Sequence, residues 1–170
     1  MERKGIITMQ GNPLTLAGNE VRAGDKAPDF SVLDSGMAEK SLADYKGKVK
    51  LISVTPSLDT PVCDLQINRF EKDATDLSSD VVVLNISVDL PFAIKRFCST
   101  GSIDMVAALS DHRGVTFGEA YGVVIMELRL LARSIFVIGK DDIVRYVQVV
   151  SEQTDEPDYD AAIEAVKSAL

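Results

Sequence analysis

The chain has 170 residues, 46% of them hydrophobic and 26% charged, which is the length and balance of one globular domain with a substantial core. Its formal net charge of −8 argues against nucleic acid or an anionic membrane as a partner, since both attract clustered lysine and arginine. No apolar run approaches the ~18 residues of a membrane helix, and residues 1–10 lack an apolar core of signal-peptide length, so we expect a single cytoplasmic domain spanning residues 1–170.

The first part of the chain predicts a β-hairpin followed by an extended loop. Apolar residues at 6–9 and 14–16 flank Gly11-Asn12-Pro13, which is a typical turn sequence. Residues 21–30 contain glycine, aspartate and proline and favour an extended loop.

From residue 49 onward, strand and helix patterns alternate. The predicted strands are 49–54, 81–88, 105–109, 134–138 and 143–150, and the predicted helices are 61–77, 92–98, 115–121 and 158–170. This alternation favours parallel strands with helices on both faces of a sheet. The short turn over residues 139–142 must join the last two strands as an antiparallel hairpin. A mixed central sheet flanked by helices, with a terminal helix and an N-terminal β-hairpin, predicts an α/β protein with the thioredoxin-like fold.

Cys63 is the candidate nucleophile because of its place at the start of a predicted helix. Thr60 is a good N-cap and Pro61 a good first helical residue, which makes Cys63 the third residue of the helix. Free backbone N–H groups and the helix dipole favour negative charge there, so a thiol at that place is biased toward the thiolate form. The alternative is a small buried hydrophobic residue, but polar and turn-forming residues directly precede Cys63.

The only other cysteine is Cys98, near the end of a predicted helix. Considered alone, core packing explains it equally well. If Cys63 is oxidised to a sulfenic acid, however, the thiol of Cys98 can condense with it and stop further oxidation. A disulfide requires Cα atoms within about 7 Å, so we expect the helix that carries Cys98 to unwind or shift. Together with His112, the only histidine, the two cysteines are too few for a zinc site of the usual kind without carboxylates.

Arg133 precedes a predicted strand and stands among apolar residues. A guanidinium is costly to bury without an anionic partner. The sequence leaves two interpretations open: the side chain reaches solvent or a structural carboxylate, or it faces a thiolate and keeps it ionised.

These residues resemble a known family. Pro56, Thr60 and Cys63 match the Pro-x-x-x-Thr-x-x-Cys signature of the peroxiredoxins, and residues 59–66 (DTPVCDLQ) resemble the bacterial thiol peroxidases among them. The resemblance spans nearly the whole chain. It includes residues 11–16 (GNPLTL), 24–30 (GDKAPDF), 96–98 (RFC), 110–113 (SDHR) and 130–133 (LLAR).

The resemblance implies a thiol-dependent peroxidase with both redox cysteines in one subunit. Cys63 matches the peroxidatic cysteine, which forms a sulfenic acid, and Cys98 matches the resolving cysteine, which closes an intramolecular disulfide. Thr60 and Arg133 match the residues that orient the thiolate and polarise the peroxide, and Pro56 matches the proline that shields the pocket. The family acts on hydrogen peroxide and organic hydroperoxides, is recycled by thioredoxin, is usually a homodimer, and needs no metal or organic cofactor.

Two other functions are considered. A thiol-disulfide oxidoreductase on the same fold would normally carry two cysteines one helical turn apart, and residues 60–63 read Thr-Pro-Val-Cys instead. A non-catalytic thioredoxin-like binding module would explain the fold but gives no reason for a cysteine in the first turn of this helix.

Overall fold

The computed structural model describes all residues from 1 to 170. Its strands are β1 (Glu2–Met9), β2 (Asn12–Ala17), β3 (Val32–Leu33), β4 (Glu39–Lys40), β5 (Val49–Val54), β6 (Val81–Ser87), β7 (Ala107–Ser110), β8 (Val124–Ile125), β9 (Leu130–Leu131), β10 (Ser134–Ile138) and β11 (Val144–Val149). Its helices are α1 (Pro61–Ala74), α2 (Pro91–Gly101), α3 (Thr116–Ala120) and α4 (Tyr159–Ser168), and a 3₁₀ turn covers Leu42–Tyr45. None of the helices has the length and apolar character needed to cross a membrane.

The central sheet is mixed, as the sequence predicts. It has seven strands in the order β11-β10-β5-β6-β7-β3-β4. Strands β5, β6 and β7 are parallel to one another, while β10 runs antiparallel to β5 and β11 antiparallel to β10. All six residues of β5 are buried, because layers of protein cover both faces of the sheet. This places the carboxyl end of β5, which leads to Cys63, in the middle of the molecule.

The predicted N-terminal hairpin is present and belongs to a second, smaller sheet. Strands β1 and β2 pair antiparallel, and β8 and β9 extend them to the order β1-β2-β8-β9. Strands β8 and β9 were not expected from the sequence. Each has only two residues, too few for a periodic pattern, and β8 forms because Leu16 and Ala17 of β2 offer it an edge for pairing.

Two apolar cores lie on opposite faces of the central sheet. Alternate residues of β5 contribute to them: Leu51 to one and Ile52 to the other. The core that includes Leu51 packs beneath α1, α2 and α4, and the core that includes Ile52 packs beneath the hairpin sheet and α3. The helices that carry the two cysteines therefore cover the same face.

Several predicted boundaries differ from the observed ones. Helix α1 ends at Ala74 rather than at residue 77, and β7 begins at Ala107 rather than at residue 105. Helix α2 extends to Gly101 rather than to residue 98, because the left-handed backbone that ends the helix is adopted by Ser102, with φ of 54°.

Candidate active site

Cys63 occupies the third position of α1, as the local sequence predicts. Thr60 is the N-cap residue, with extended backbone, and Pro61 is the first helical residue. The first backbone hydrogen bond of the helix runs from the N–H of Asp64 to the carbonyl of Thr60, at 3.0 Å. The N–H groups of Val62 and Cys63 precede that bond, so they are available to an anion at the helix start. The Cys63 side chain itself has no exposed surface.

The Thr60 hydroxyl does not cap the helix, which corrects the role expected for it as an N-cap. It donates instead to the carbonyl of Ser57, at 2.8 Å, in the loop before the helix. The side chain is turned toward that loop, and the N–H of Cys63, which an N-cap hydroxyl would normally engage, is left without this partner. The lone pairs of the hydroxyl oxygen remain available to accept a hydrogen bond.

Arg133 lies next to Cys63, with 3.4 Å between its Nη2 atom and Cys63 Sγ. Strand pairing brings them together, because Ser134 at the start of β10 pairs with Val54 at the end of β5. The Arg133 residue is only 3% exposed. None of the ion pairs in the structure involves its guanidinium, so no carboxylate lies within 4.0 Å. The solvent and carboxylate alternatives considered from the sequence do not describe this arginine.

Two buried glutamines hold Arg133 in place. The backbone N–H of Arg133 donates to Gln153 Oε1 and its Nε donates to the Gln153 carbonyl, at 3.0 Å for the latter. Its Nη1 donates to Gln66 Oε1 at 2.8 Å. Both acceptors are neutral, so they satisfy the donors of the guanidinium without cancelling its charge. Sequence analysis missed both residues, although Gln66, three positions after Cys63, was placed to share its helix face.

A chain of buried polar groups continues from Gln66 into the sheet. Gln66 Nε2 donates to Ser53 Oγ at 2.7 Å, Ser53 Oγ donates to Asn85 Oδ1 at 3.2 Å, and Asn85 Nδ2 donates to Thr55 Oγ1 at 3.1 Å. All four residues are at most 1% exposed. Satisfied networks of this kind fix side-chain positions, because losing one member leaves another polar group buried and unpaired.

A cavity of about 370 Å³ opens beside this arrangement. Three of the residues singled out from the sequence line it: Pro56, Thr60 and Arg133. The rest of the lining includes the apolar side chains of Met9, Val62, Leu128 and Leu130. Cys63 is not among the lining residues, but Arg133, which contacts its sulfur, and Val62, which precedes it, both are. A small molecule with an apolar body and a polar end fits this lining.

Cys98 lies on α2, away from this cavity. It is half-buried, and burial raises the pKa of its thiol, with further contributions from the negative charges of Glu71 and Asp104. It lines a separate cavity of about 390 Å³ together with Tyr45 and Ile94. The structure thus does not bring the two cysteines together, and both thiols are free.

The side of α2 that approaches Cys63 is not the side that carries Cys98. Phe97 and Thr100 of α2 share a depression of about 300 Å³ with Asp64, the residue after Cys63. Neighbouring residues on a helix point about 100° apart, so Cys98 must turn out of its present position to meet Cys63.

Comparison with known proteins gives consistent results. The family model described as Redoxin matches residues 22–163. The chain is 57% identical over 164 residues to the thiol peroxidase of Halalkalibacterium halodurans and 56% identical over 164 residues to that of Bacillus subtilis, and each match covers 96% of this chain and 98% of the relative. Among solved structures, a peroxiredoxin-like protein from Aquifex aeolicus superimposes with a TM-score of 0.92 at 40% identity, covering 99% of this chain and 98% of that one. Thiol peroxidase from Chromobacterium violaceum superimposes with a TM-score of 0.85 at 24% identity, covering 95% of each chain.

Proposed function

This chain belongs to the redoxin family and, within it, to the bacterial thiol peroxidases, and on that premise we propose that Cys63 is the residue that attacks the peroxide. The observation that carries the proposal is the contact of Cys63 Sγ with the buried guanidinium of Arg133, which has no carboxylate partner. A buried cation needs a nearby anion, and the sulfur is the group in contact with it that can become one. The positive charge of Arg133 is therefore placed to stabilise negative charge on the sulfur of Cys63.

The first step follows from that charge. The thiolate attacks one oxygen of the hydroperoxide in line with the O–O bond. The S–O bond forms as the O–O bond breaks, sulfur is oxidised to sulfenic acid, and the other oxygen leaves as an alkoxide or hydroxide that takes a proton from water. Negative charge grows on the leaving oxygen in the transition state, where fixed donors act most strongly.

The residues around the cavity supply those donors and orient the peroxide. The Arg133 guanidinium and the N–H groups of Val62 and Cys63 can stabilise the developing negative charge. The Thr60 hydroxyl, whose hydrogen goes to Ser57, can accept the hydrogen of the peroxide. Pro56 and the apolar lining exclude water from the reacting atoms and suit the alkyl part of an organic hydroperoxide as well as hydrogen peroxide itself.

In the second step Cys98 resolves the oxidised cysteine. Its sulfur attacks the sulfur of the Cys63 sulfenic acid, the new S–S bond replaces the S–O bond, and water leaves. A dithiol such as thioredoxin then reduces the disulfide by exchange and restores both thiols. Recycling by thioredoxin, assembly as a homodimer and a cytoplasmic location remain predictions from the family resemblance.

The intact mass of peroxide-treated protein tests this pathway. Reduced protein exposed to one equivalent of hydroperoxide should become lighter by two hydrogens within a single chain, with a peptide that joins Cys63 to Cys98. The Cys98→Ser variant should undergo one oxidation at Cys63 and then stop turning over with thioredoxin as the reductant. Two chains linked through Cys98 would instead assign the resolving step to a neighbouring subunit.

A further inference from the structure

The part of α2 that carries Cys98 is held between two buried anchors. Ile94 and Ile103 are 1% and 6% exposed and belong to the core beneath α1 and α4. Every residue from 95 to 102 is exposed or half-buried. Segments with few buried apolar contacts open at lower free energy than the core around them. Residues 95–102 are therefore the part of the Cys98 helix that can unwind while its two ends stay in place.

A carboxylate on α1, the helix that carries Cys63, holds the loop that follows residues 95–102. Glu71, about two turns after Cys63 on α1, accepts hydrogen bonds from three consecutive backbone N–H groups, those of Asp104, Met105 and Val106, at 2.8 to 2.9 Å. No other side chain connects α1 to this loop by hydrogen bonds. Because three donors converge on one charged acceptor, the loop after α2 is held more firmly than a loop satisfied by water.

The start of α2 is also hydrogen-bonded to residues near Cys63. Asp89, which precedes α2, accepts from Ser57 Oγ at 2.7 Å and from the N–H of Leu58 at 2.8 Å, in the loop that leads to Cys63. Hydrogen bonds thus connect both ends of the segment that carries Cys98 to residues near Cys63. The start of α2 is bonded to the loop before Cys63, and the loop after α2 is bonded to Glu71 of α1.

The disulfide cannot form in the observed structure, in which α2 is intact. Cys98 points into its own cavity, whereas Phe97 and Thr100 face Asp64. Burial and the charges of Glu71 and Asp104 raise the pKa of the Cys98 thiol, so it is protonated and a poor nucleophile while α2 is intact. The resolving step must take place after residues 95–102 open.

We propose that Glu71 is a positioning residue for the resolving step. By holding residues 104–106 against α1, it confines the opening to the short segment before Ile103 and keeps Cys98 within reach of Cys63. The proposal rests on the function assigned above to the two cysteines. Without the anchor the flexible segment would extend to the start of β7, and a longer loop brings its ends together less often.

The test compares Glu71→Gln with Glu71→Asp. Glutamine keeps the length but loses the charge and one acceptor, while aspartate keeps the charge but is too short to serve all three N–H groups. The aspartate variant separates anchoring from the electrostatic effect of Glu71 on the Cys98 thiol. Asp73→Asn is the control, because Asp73 lies on the same helix and pairs only with Arg69.

The readout is the fate of the Cys63 sulfenic acid under a fixed excess of hydrogen peroxide, where Cys98 competes with a second peroxide that produces sulfinic acid. We expect the ratio of disulfide to sulfinic acid to fall by about twofold in both Glu71 variants, from the lengthened loop, and to stay unchanged in Asp73→Asn. The rate of the first oxidation should be the same in all four proteins, and amide hydrogen exchange at residues 104–106 should be faster in the two Glu71 variants.

An unchanged or higher ratio in Glu71→Asp, with faster exchange at residues 104–106, would overturn the proposal, since the anchor would then be lost without consequence. If the unmodified protein forms no sulfenic acid at all, the assignment of Cys63 fails instead, so the two failures are distinguishable.

Discussion

Arg133 is buried, and the ionisable group that its guanidinium contacts is the thiol of Cys63. Arg133 Nη2 lies 3.4 Å from Cys63 Sγ. Its other side-chain hydrogen bonds go to the neutral acceptors Gln66 and Gln153. In this arrangement the charge of the guanidinium is directed at the sulfur rather than balanced by a carboxylate. The proposed attack of Cys63 on the peroxide depends on this contact.

Replacing Arg133 by methionine should slow the first oxidation of Cys63. Methionine fills a similar volume but provides neither the charge nor the donors, and a hydrogen bond to a charged group contributes about 1.5–3 kcal/mol. We therefore expect the rate of peroxide consumption at neutral pH to fall about tenfold or more. Stopped-flow measurements at neutral pH provide this rate.

Arg113→Met is the matched control for that measurement. Arg113 is exposed and pairs with Glu39 at 3.4 Å. Its loss changes the net charge of the protein by the same amount as the loss of Arg133. An Arg133→Met protein that consumes peroxide at the same rate as Arg113→Met would remove Arg133 from the reacting site.

The position of Cys63 is predictable from sequence because local rules determine it. A strand of buried residues, an N-cap residue and a proline at the first helical position place the cysteine at the third position whatever the rest of the chain does. The hydrogen bond of the Thr60 side chain was predicted less well, because two partners lie nearby. The hydroxyl donates to the carbonyl of Ser57 and does not accept from the N–H groups of the helix.

The partners of Cys63 depend on contacts between distant parts of the chain. Arg133 is 70 residues away, and its approach requires the antiparallel pairing of β10 with β5. Gln153 stands in a polar stretch that is typical of an exposed loop, yet it is 1% exposed because its backbone N–H bonds to the carbonyl of Thr8 in the hairpin. No periodic pattern in the sequence indicates that burial.

A buried carboxyl group gives the protein a pH-dependent stability. Asp111 accepts hydrogen bonds from the N–H groups of Phe117 and Gly118 at the start of α3, at 3.1 and 2.8 Å. Burial raises the pKa of its carboxyl from 3.8 to about 6, against the opposing effect of these bonds. Between pH 4 and pH 6 the folded protein therefore binds a proton at Asp111 that the unfolded chain does not.

The proton that only the folded state binds determines how the free energy of unfolding changes with pH. Because the folded state binds more protons, the contribution of Asp111 to the free energy of unfolding decreases as pH rises through 6, by about 1 kcal/mol between pH 5 and pH 7. Urea unfolding at both pH values should show this decrease in the unmodified protein and lack it in Asp111→Asn. The same pH dependence in both proteins would show that Asp111 titrates at its ordinary pKa.

Trapping the first oxidation product with a sulfenic-acid-specific diketone in the Cys98→Ser variant shows whether Cys63 is the residue that attacks the peroxide. One equivalent of an organic hydroperoxide should be consumed, and the label should be found on Cys63, while Cys63→Ser should neither consume the peroxide rapidly nor take the label. Rapid peroxide consumption by Cys63→Ser, or an unlabelled Cys63 in the Cys98→Ser variant after the peroxide has been consumed, would show that Cys63 is not the residue that attacks the peroxide.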